Sequence, residues 1–223
     1  MDHAVLSPRL AAAASCIPRG SVVADVGADH ASLSIYLLSS GISPYVIVSD
    51  INPLPLERAR LAIEESGFGP KARFCLADGM KQLFKYSPDC FAVCGMGGDT
   101  ISSMLDGDKS VFDGKTFVFQ PMTKHEKLRA ALYSGGFFID RETVVAERGR
   151  PFVIIASHYD GIKREAGDLE LLAGRERGIY PELICYYRQI LKRLEKRASG
   201  LEISGRDASF ERALADSLRA RMN

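Results

Sequence analysis

Between Val22 and Tyr159 the chain alternates short β-branched apolar runs with stretches of helical spacing, and this alternation limits the possible folds more than any other feature. The runs are VVADVG (22–27), YVIVSD (45–50), ARFCLAD (72–78), FAVCGM (91–96), TFVFQP (116–121), RETVVAE (141–147) and FVIIASHY (152–159). Amphipathic patterns such as LSIYLLSSG, LERARLAIEESG and EKLRAALYSGG lie between the first five, and Gly41, Gly67 and Gly135 are placed to end them. Strands alternating with helices predict an α/β fold: a parallel sheet with right-handed crossovers, covered on both faces. The last two runs have no helix between them and are expected to pair as an antiparallel hairpin at the sheet edge.

The pattern changes after Asp160, so the chain divides into a sheet domain, 1–160, and a small helical domain, 161–223. Ile184, Tyr187, Leu191, Leu194, Ala198 and Leu201 follow a spacing of three and four, which gives a narrow coiled-coil-like seam. A second stripe at Phe210, Leu214 and Leu218 predicts an antiparallel helical hairpin. Opposite the first seam fan Arg188, Lys192, Arg193, Lys196 and Arg197, with Glu195 the one acid among them. The net charge is only +1, so a nucleic-acid partner requires positive charge gathered in one place, and this face supplies it.

The longest apolar runs are strand-length, too short to cross a membrane. The N-terminus carries Asp2 and no sustained apolar core, so no signal peptide is expected. Five cysteines without a CxxC pair argue against a disulfide framework; Cys90 and Cys94 are expected to be buried thiols, with no metal. A cytoplasmic protein is the expectation, and a monomer the simpler one.

In an open parallel sheet, ligands bind at strand C-termini where the strand order reverses. Those ends hold Asp25 and Gly27, Asp50, Asp78, the segment Gly95-Met96-Gly97-Gly98, and Gln120-Pro121. A dinucleotide fingerprint would place a second glycine where Asp29 stands. Asp25 and Asp29 would repel a pyrophosphate, but they suit the ammonium and sulfonium of S-adenosylmethionine, SAM. His30 follows them, either as a ligand contact or as a helix cap. Asp50, followed by Ile51, is placed to accept ribose hydroxyls, and Asp78-Gly79 to meet an adenine amino group. A helix cap for Asp50 and a turn for Asp78-Gly79 are the alternatives. Glycines 95, 97 and 98 would let a flat substrate lie against backbone. Five βα units and a hairpin describe a Rossmann-like class I methyltransferase sheet better than a dinucleotide-binding one.

Three of these segments carry a resemblance. DVGADHASL, CGMGGDTI and FVFQP resemble the D-[IV]-G-[ST]-D-H turn, the A-G-M-G-G segment and the L-Q-P strand end of the bacterial tRNA (adenine(22)-N(1))-methyltransferase family. The resemblance runs from about Ser7 to the C-terminal helices. It implies a SAM-dependent domain followed by a coiled-coil-like domain that helps to hold tRNA. The chain departs from the pattern where Ala28 replaces a hydroxyl residue, Ser34 a proline, Met122 an asparagine and Asp50 a glutamate; RGRPF (148–152) also differs from the family's basic–aromatic segment.

These readings imply methyl transfer to adenine N1, with Asp29 stabilising the cation that forms. Asp25, Gly27, Asp29, His30, Asp50, Ile51, Asp78, Gly79 and Gly95 are assigned to SAM. Met96, Gly97, Gly98, Gln120 and Pro121 are assigned to the adenine, and Arg188, Lys192, Lys196 and Arg197 to tRNA. The rival readings are a methyltransferase of another RNA adenine or a small molecule, and a catalytically silent RNA-binding protein of the same fold.

Overall fold

The computed structural model describes residues 6–28, 30–175 and 179–222. Every apolar run of the alternating region forms a strand. β1 (Val23–Val26), β2 (Val46–Asp50), β3 (Ala72–Leu76), β4 (Cys90–Met96) and β5 (Thr116–Pro121) are parallel. β6 (Phe137–Glu147) and β7 (Arg150–Tyr159) close the sheet antiparallel, giving the order β3-β2-β1-β4-β5-β7-β6. β7 takes the inner place because Val153, Ile154 and Ile155 are all buried, whereas β6 alternates buried with open residues as an edge strand does. β7 begins at Arg150, well before Ile155, the residue that faces Phe119, so the hairpin tip projects past the end of β5.

Alternate residues of each strand feed opposite faces. On one face Val23, Val46, Val48, Ala92 and Val118 pack under α1 (Pro8–Ser15), α2 (Ser32–Ser39) and α3 (Pro53–Glu65). On the other, Ala24, Ile47, Phe91, Phe117 and Ile155 pack under α4 (Gly98–Met104) and α5 (His125–Gly135). That second core continues without a break into the C-terminal helices α6 (Asp168–Ala173), α7 (Pro181–Ile203) and α8 (Ser209–Ala220).

Several boundaries differ from the sequence expectation. β6 starts at Phe137, earlier than predicted, because Phe137 and Ile139 point into the aromatic core. α5 is stopped by Gly136, which takes the left-handed conformation (φ 84°), and Gly135 remains inside the helix. β3 ends at Leu76, and only a 3₁₀ segment, Lys81–Tyr86, leads to β4; Pro88 disfavours a longer helix there.

The seam of α7 is also corrected. Leu183, Tyr186, Tyr187, Ile190, Leu194 and Ala198 are buried, while Ile184, Leu191 and Leu201 are only half-buried. The stripe is wider than a coiled-coil seam because α7 packs against β6 and β7 as well as α8. On α8, Glu211, Ala215 and Leu218 are buried and Phe210 is 54% exposed. The two helices run antiparallel, with ion pairs Glu195–Arg219 (2.6 Å) and Glu202–Arg212 (2.8 Å) laced between them.

One buried cation ties these helices to the sheet. Arg129 of α5 donates from Nε to Glu142 of β6 (2.9 Å) and from Nη1 to the carbonyl of Leu171 (2.7 Å). Its Nη2 donates to Glu142 and reaches the Tyr186 hydroxyl of α7 (3.3 Å).

Candidate active site

The strand order reverses between β1 and β4, the place where a doubly wound sheet opens a crevice at its carboxyl edge. A cavity of about 380 Å³ lies there. The end of β1 contributes Asp25 and Gly27, the end of β4 contributes Cys94 and Gly95, and His30, Ala31, Ser32 and Leu33 come from the turn into α2. The remaining wall is Arg9 and Leu10 of α1.

Asp25 follows Val23 on the face that meets α2, and there it accepts a hydrogen bond from the Ser34 hydroxyl (2.7 Å). Ser34 stands where the resembling family has proline, so this chain supplies its own donor to that carboxylate. Burial pushes the Asp25 carboxyl up to about 6, against the opposing effect of the Ser34 hydrogen bond. Desolvation also pushes the neighbouring Cys94 thiol far above its usual value, although Cys94, unlike Cys90, is only half-buried and borders the cavity.

Gly27 (φ 76°) and Gly95 (φ 84°) both adopt the left-handed conformation that glycine alone takes without strain. A side chain at Gly27 would strike the methyl group of Met96 at 2.1 Å, so Met96 lies against the first turn. At Gly98 the obstacle is backbone: a Cβ there would lie 2.2 Å from the carbonyl oxygen of Lys124, and its amide donates to the Thr123 carbonyl (2.8 Å). Its role is to let α4 approach the loop after β5. Gly97, the N-cap of α4, would bring a Cβ 3.3 Å from the Thr123 hydroxyl.

The other predicted residues are distributed around this cavity. Asp50 ends β2, and one of its oxygens accepts the Asn52 amide (2.8 Å); the N-cap position of α3 is Asn52, so the helix cap considered for Asp50 falls two residues later. Ile51 beside it is 58% exposed, an apolar surface at a strand end that can cover a flat ring. Asp78 is exposed in the turn after β3, and Gly79 is buried against Met104. Gln120 and Pro121 are buried, and the Gln120 amide is already engaged: Oε1 accepts from Arg9 Nη1 (2.8 Å) and Nε2 donates to the Pro121 carbonyl (3.1 Å). His30 is exposed at the cavity rim. Asp29 lies outside the described residues. Arg188, Lys192 and Lys196 are exposed on one side of α7; Arg197 is exposed too but pairs with the buried Glu211 (2.7 Å).

Arg9 was not among the residues singled out from sequence. It comes from a helix preceding the first strand, so no strand end marks it. Its neighbour Glu147 is the last residue of β6.

The chain is similar to proteins of known family. A family model described as a methyltransferase domain matches residues 6–155. The tRNA (adenine(22)-N(1))-methyltransferase of Bacillus subtilis (strain 168) is 30% identical over 177 residues, 76% of this chain and 74% of the relative. The crystal structure of the B. subtilis M1A22 tRNA methyltransferase TrmK superposes with a TM-score of 0.80 at 24% identity, covering 98% of this chain and 96% of that one. TrmK of M. capricolum, solved with the cofactor product S-adenosyl-homocysteine, gives a TM-score of 0.82 at 23% identity over 97% of each chain. Among the described residues no helix is long and apolar enough to cross a membrane. By its 30% identity to the B. subtilis enzyme across about three quarters of each chain, this chain belongs to the tRNA (adenine(22)-N(1))-methyltransferase family.

Proposed function

We propose that this chain methylates N1 of adenine 22 in tRNA, with SAM as the methyl donor. The observation that carries the reading is the cavity at the β1–β4 reversal, where a buried carboxylate stands beside two left-handed glycines. The residues present fit the cofactor. Asp25 offers an acceptor to an ammonium, Gly27 and Gly95 allow backbone approach, and no phosphate-binding glycine turn is needed. Asp50 is proposed to take the ribose hydroxyls and Ile51 to cover the adenine ring, with Asp78 and Gly79 at its edge.

When bound, the cofactor supplies a methyl group on a sulfonium. Adenine N1 has a free lone pair at neutral pH, so no side chain must remove a proton first; the protein's task is alignment. Methylation leaves a positive charge on the base, and a carboxylate nearby stabilises it as it develops. Asp29 is proposed for that role on its position at the entrance to α2. Asp29→Asn is then expected to lower turnover more than SAM affinity. The loop joining Gly95 to Gly98 and the β5 end at Gln120-Pro121 are proposed to border the adenine, which must leave its stack to enter. Residues 1–160 do the chemistry, and residues 161–223 hold tRNA through the basic side of α7.

The test is methyl transfer to an unmodified tRNA transcript, followed by nucleoside analysis and mapping. The expected product is 1-methyladenosine at nucleotide 22, absent when the transcript carries guanine there. Methylation mapped to another nucleotide, or none at all, overturns the reading.

A further inference from the structure

We propose that Arg9 receives the methionyl carboxylate of SAM. The assignment rests on the cofactor reading above and concerns the part of that ligand which the acidic residues leave unexplained. The amino-acid end of SAM carries an ammonium, a sulfonium and a carboxylate. Asp25 answers only the cations. Arg9 brings a positive charge to the same cavity, on the wall formed by α1.

The guanidinium is held in place before any ligand arrives. Its Nε lies 3.5 Å from Glu147 Oε2, and that oxygen also accepts the Arg9 backbone amide (3.3 Å). Nη1 donates to Gln120 (2.8 Å), and the group sits 5.8 Å from the centre of the Phe152 ring. Its Nη2 makes no hydrogen bond among the described residues. A planar donor fixed on one edge with its other corner unused is suited to a carboxylate. Such pre-ordering removes part of the entropy cost of binding.

Position favours this ligand group over two others. A Cβ built on Gly95 would meet Arg9 Nη1 at 3.9 Å, so the guanidinium stands beside the glycine backbone proposed to border the cofactor. An arginine directed at the target adenine would oppose the cation that methylation creates. A tRNA phosphate would have to share the cavity with the Asp25 carboxylate, and the Arg9 side chain is only 26% exposed.

Isothermal titration with SAM and with decarboxylated SAM, which keeps the ammonium and the sulfonium, tests the assignment directly. The wild-type protein is expected to prefer SAM by about ten- to a hundredfold, the worth of a charge-assisted contact. Arg9→Gln should bind the two ligands alike, because SAM weakens while the decarboxylated ligand does not. Arg9→Lys, which keeps the charge, should retain part of the preference. An Arg9→Gln protein with the wild-type preference intact overturns the assignment and leaves SAM binding standing. Equal weakening of both ligands also overturns it, since Arg9 would then be a structural tie. If the wild-type protein binds neither ligand, the cofactor reading fails and this assignment with it.

Discussion

Arg129 and Glu142 form an ion pair sealed from solvent, and the same guanidinium reaches the carbonyl oxygens of Leu171 and Leu172. Two ionised groups are stable in such a place because nearly every donor of the arginine has an acceptor. Removing one partner strands the other. Arg129→Met is expected to cost about 3–5 kcal/mol, a fall of roughly 6–20 °C in Tm. Arg129→Met combined with Glu142→Leu should recover part of that loss, because no lone charge remains buried. Thermal and urea denaturation would measure both; a single variant as stable as wild type would show that the pair does not hold the helices.

Asp25 predicts two opposite responses to pH. Its folded pKa of about 6 lies above the ordinary 3.8, so the fold favours the neutral acid. Its contribution to stability is complete below the unfolded value and is lost as pH rises through about 6. Asp25→Asn should therefore melt higher than wild type at pH 8 when no ligand is bound, and the gap should close toward pH 4. SAM affinity should move the other way. The ionised carboxylate is the form that holds an ammonium, so wild-type affinity should fall by up to about tenfold per unit below pH 6. A flat affinity profile from pH 5 to pH 8 would remove Asp25 from the cofactor contacts.

For Asp50 the turn contact to Asn52 uses one carboxylate oxygen and leaves the other for a ribose. Asp50→Ala should weaken SAM by about ten- to a hundredfold, the loss of roughly 1.5–3 kcal/mol expected for hydrogen bonds to a charged acceptor. Calorimetric titration of the folded variant gives the answer. Undiminished affinity would reduce Asp50 to a turn residue.

The basic side of α7 is best probed without Arg197, because that residue pairs with buried Glu211 and its loss would disturb packing as well. Arg188→Gln, Lys192→Gln and Lys196→Gln together remove three exposed charges and leave the buried stripe alone. tRNA affinity should fall and its dependence on salt should flatten, since each lost phosphate contact releases fewer counterions. SAM affinity should not change. Filter binding across a salt series decides the matter; identical curves for the variant and wild type would exclude this face.

The strand ends could be read from sequence because parallel strands buried on both faces are apolar runs, and a polar residue at the end of such a run has few other reasons to be there. Asp25, Gly27 and Gly95 were legible for that reason. Arg9 was not, since it reaches the cavity from a helix with no strand to announce it. Gly98 was expected to admit a flat substrate, but what approaches it is the protein's own loop at Thr123 and Lys124. The seam of α7 was read too narrowly because periodicity counts apolar positions and cannot tell one packing partner from two. Ser34 stood out only as a departure from the family's proline; its meaning depends on facing Asp25 across the turn.

The place of β7 between β5 and β6 has a consequence for the order in which the protein is made. Arg9 precedes every strand of the sheet in the chain, yet Glu147, which fixes it, stands on a strand that pairs only with β7 among the described residues. A nascent chain ending before Arg150 would hold all five parallel strands and still lack the support for one wall of the cavity. Contacts spanning so much of the sequence form late, after the local helices and crossovers. On the assignment of Arg9 to the cofactor, capture of the methyl donor would follow the docking of the last strand, and a chain ending before Arg150 would bind it weakly.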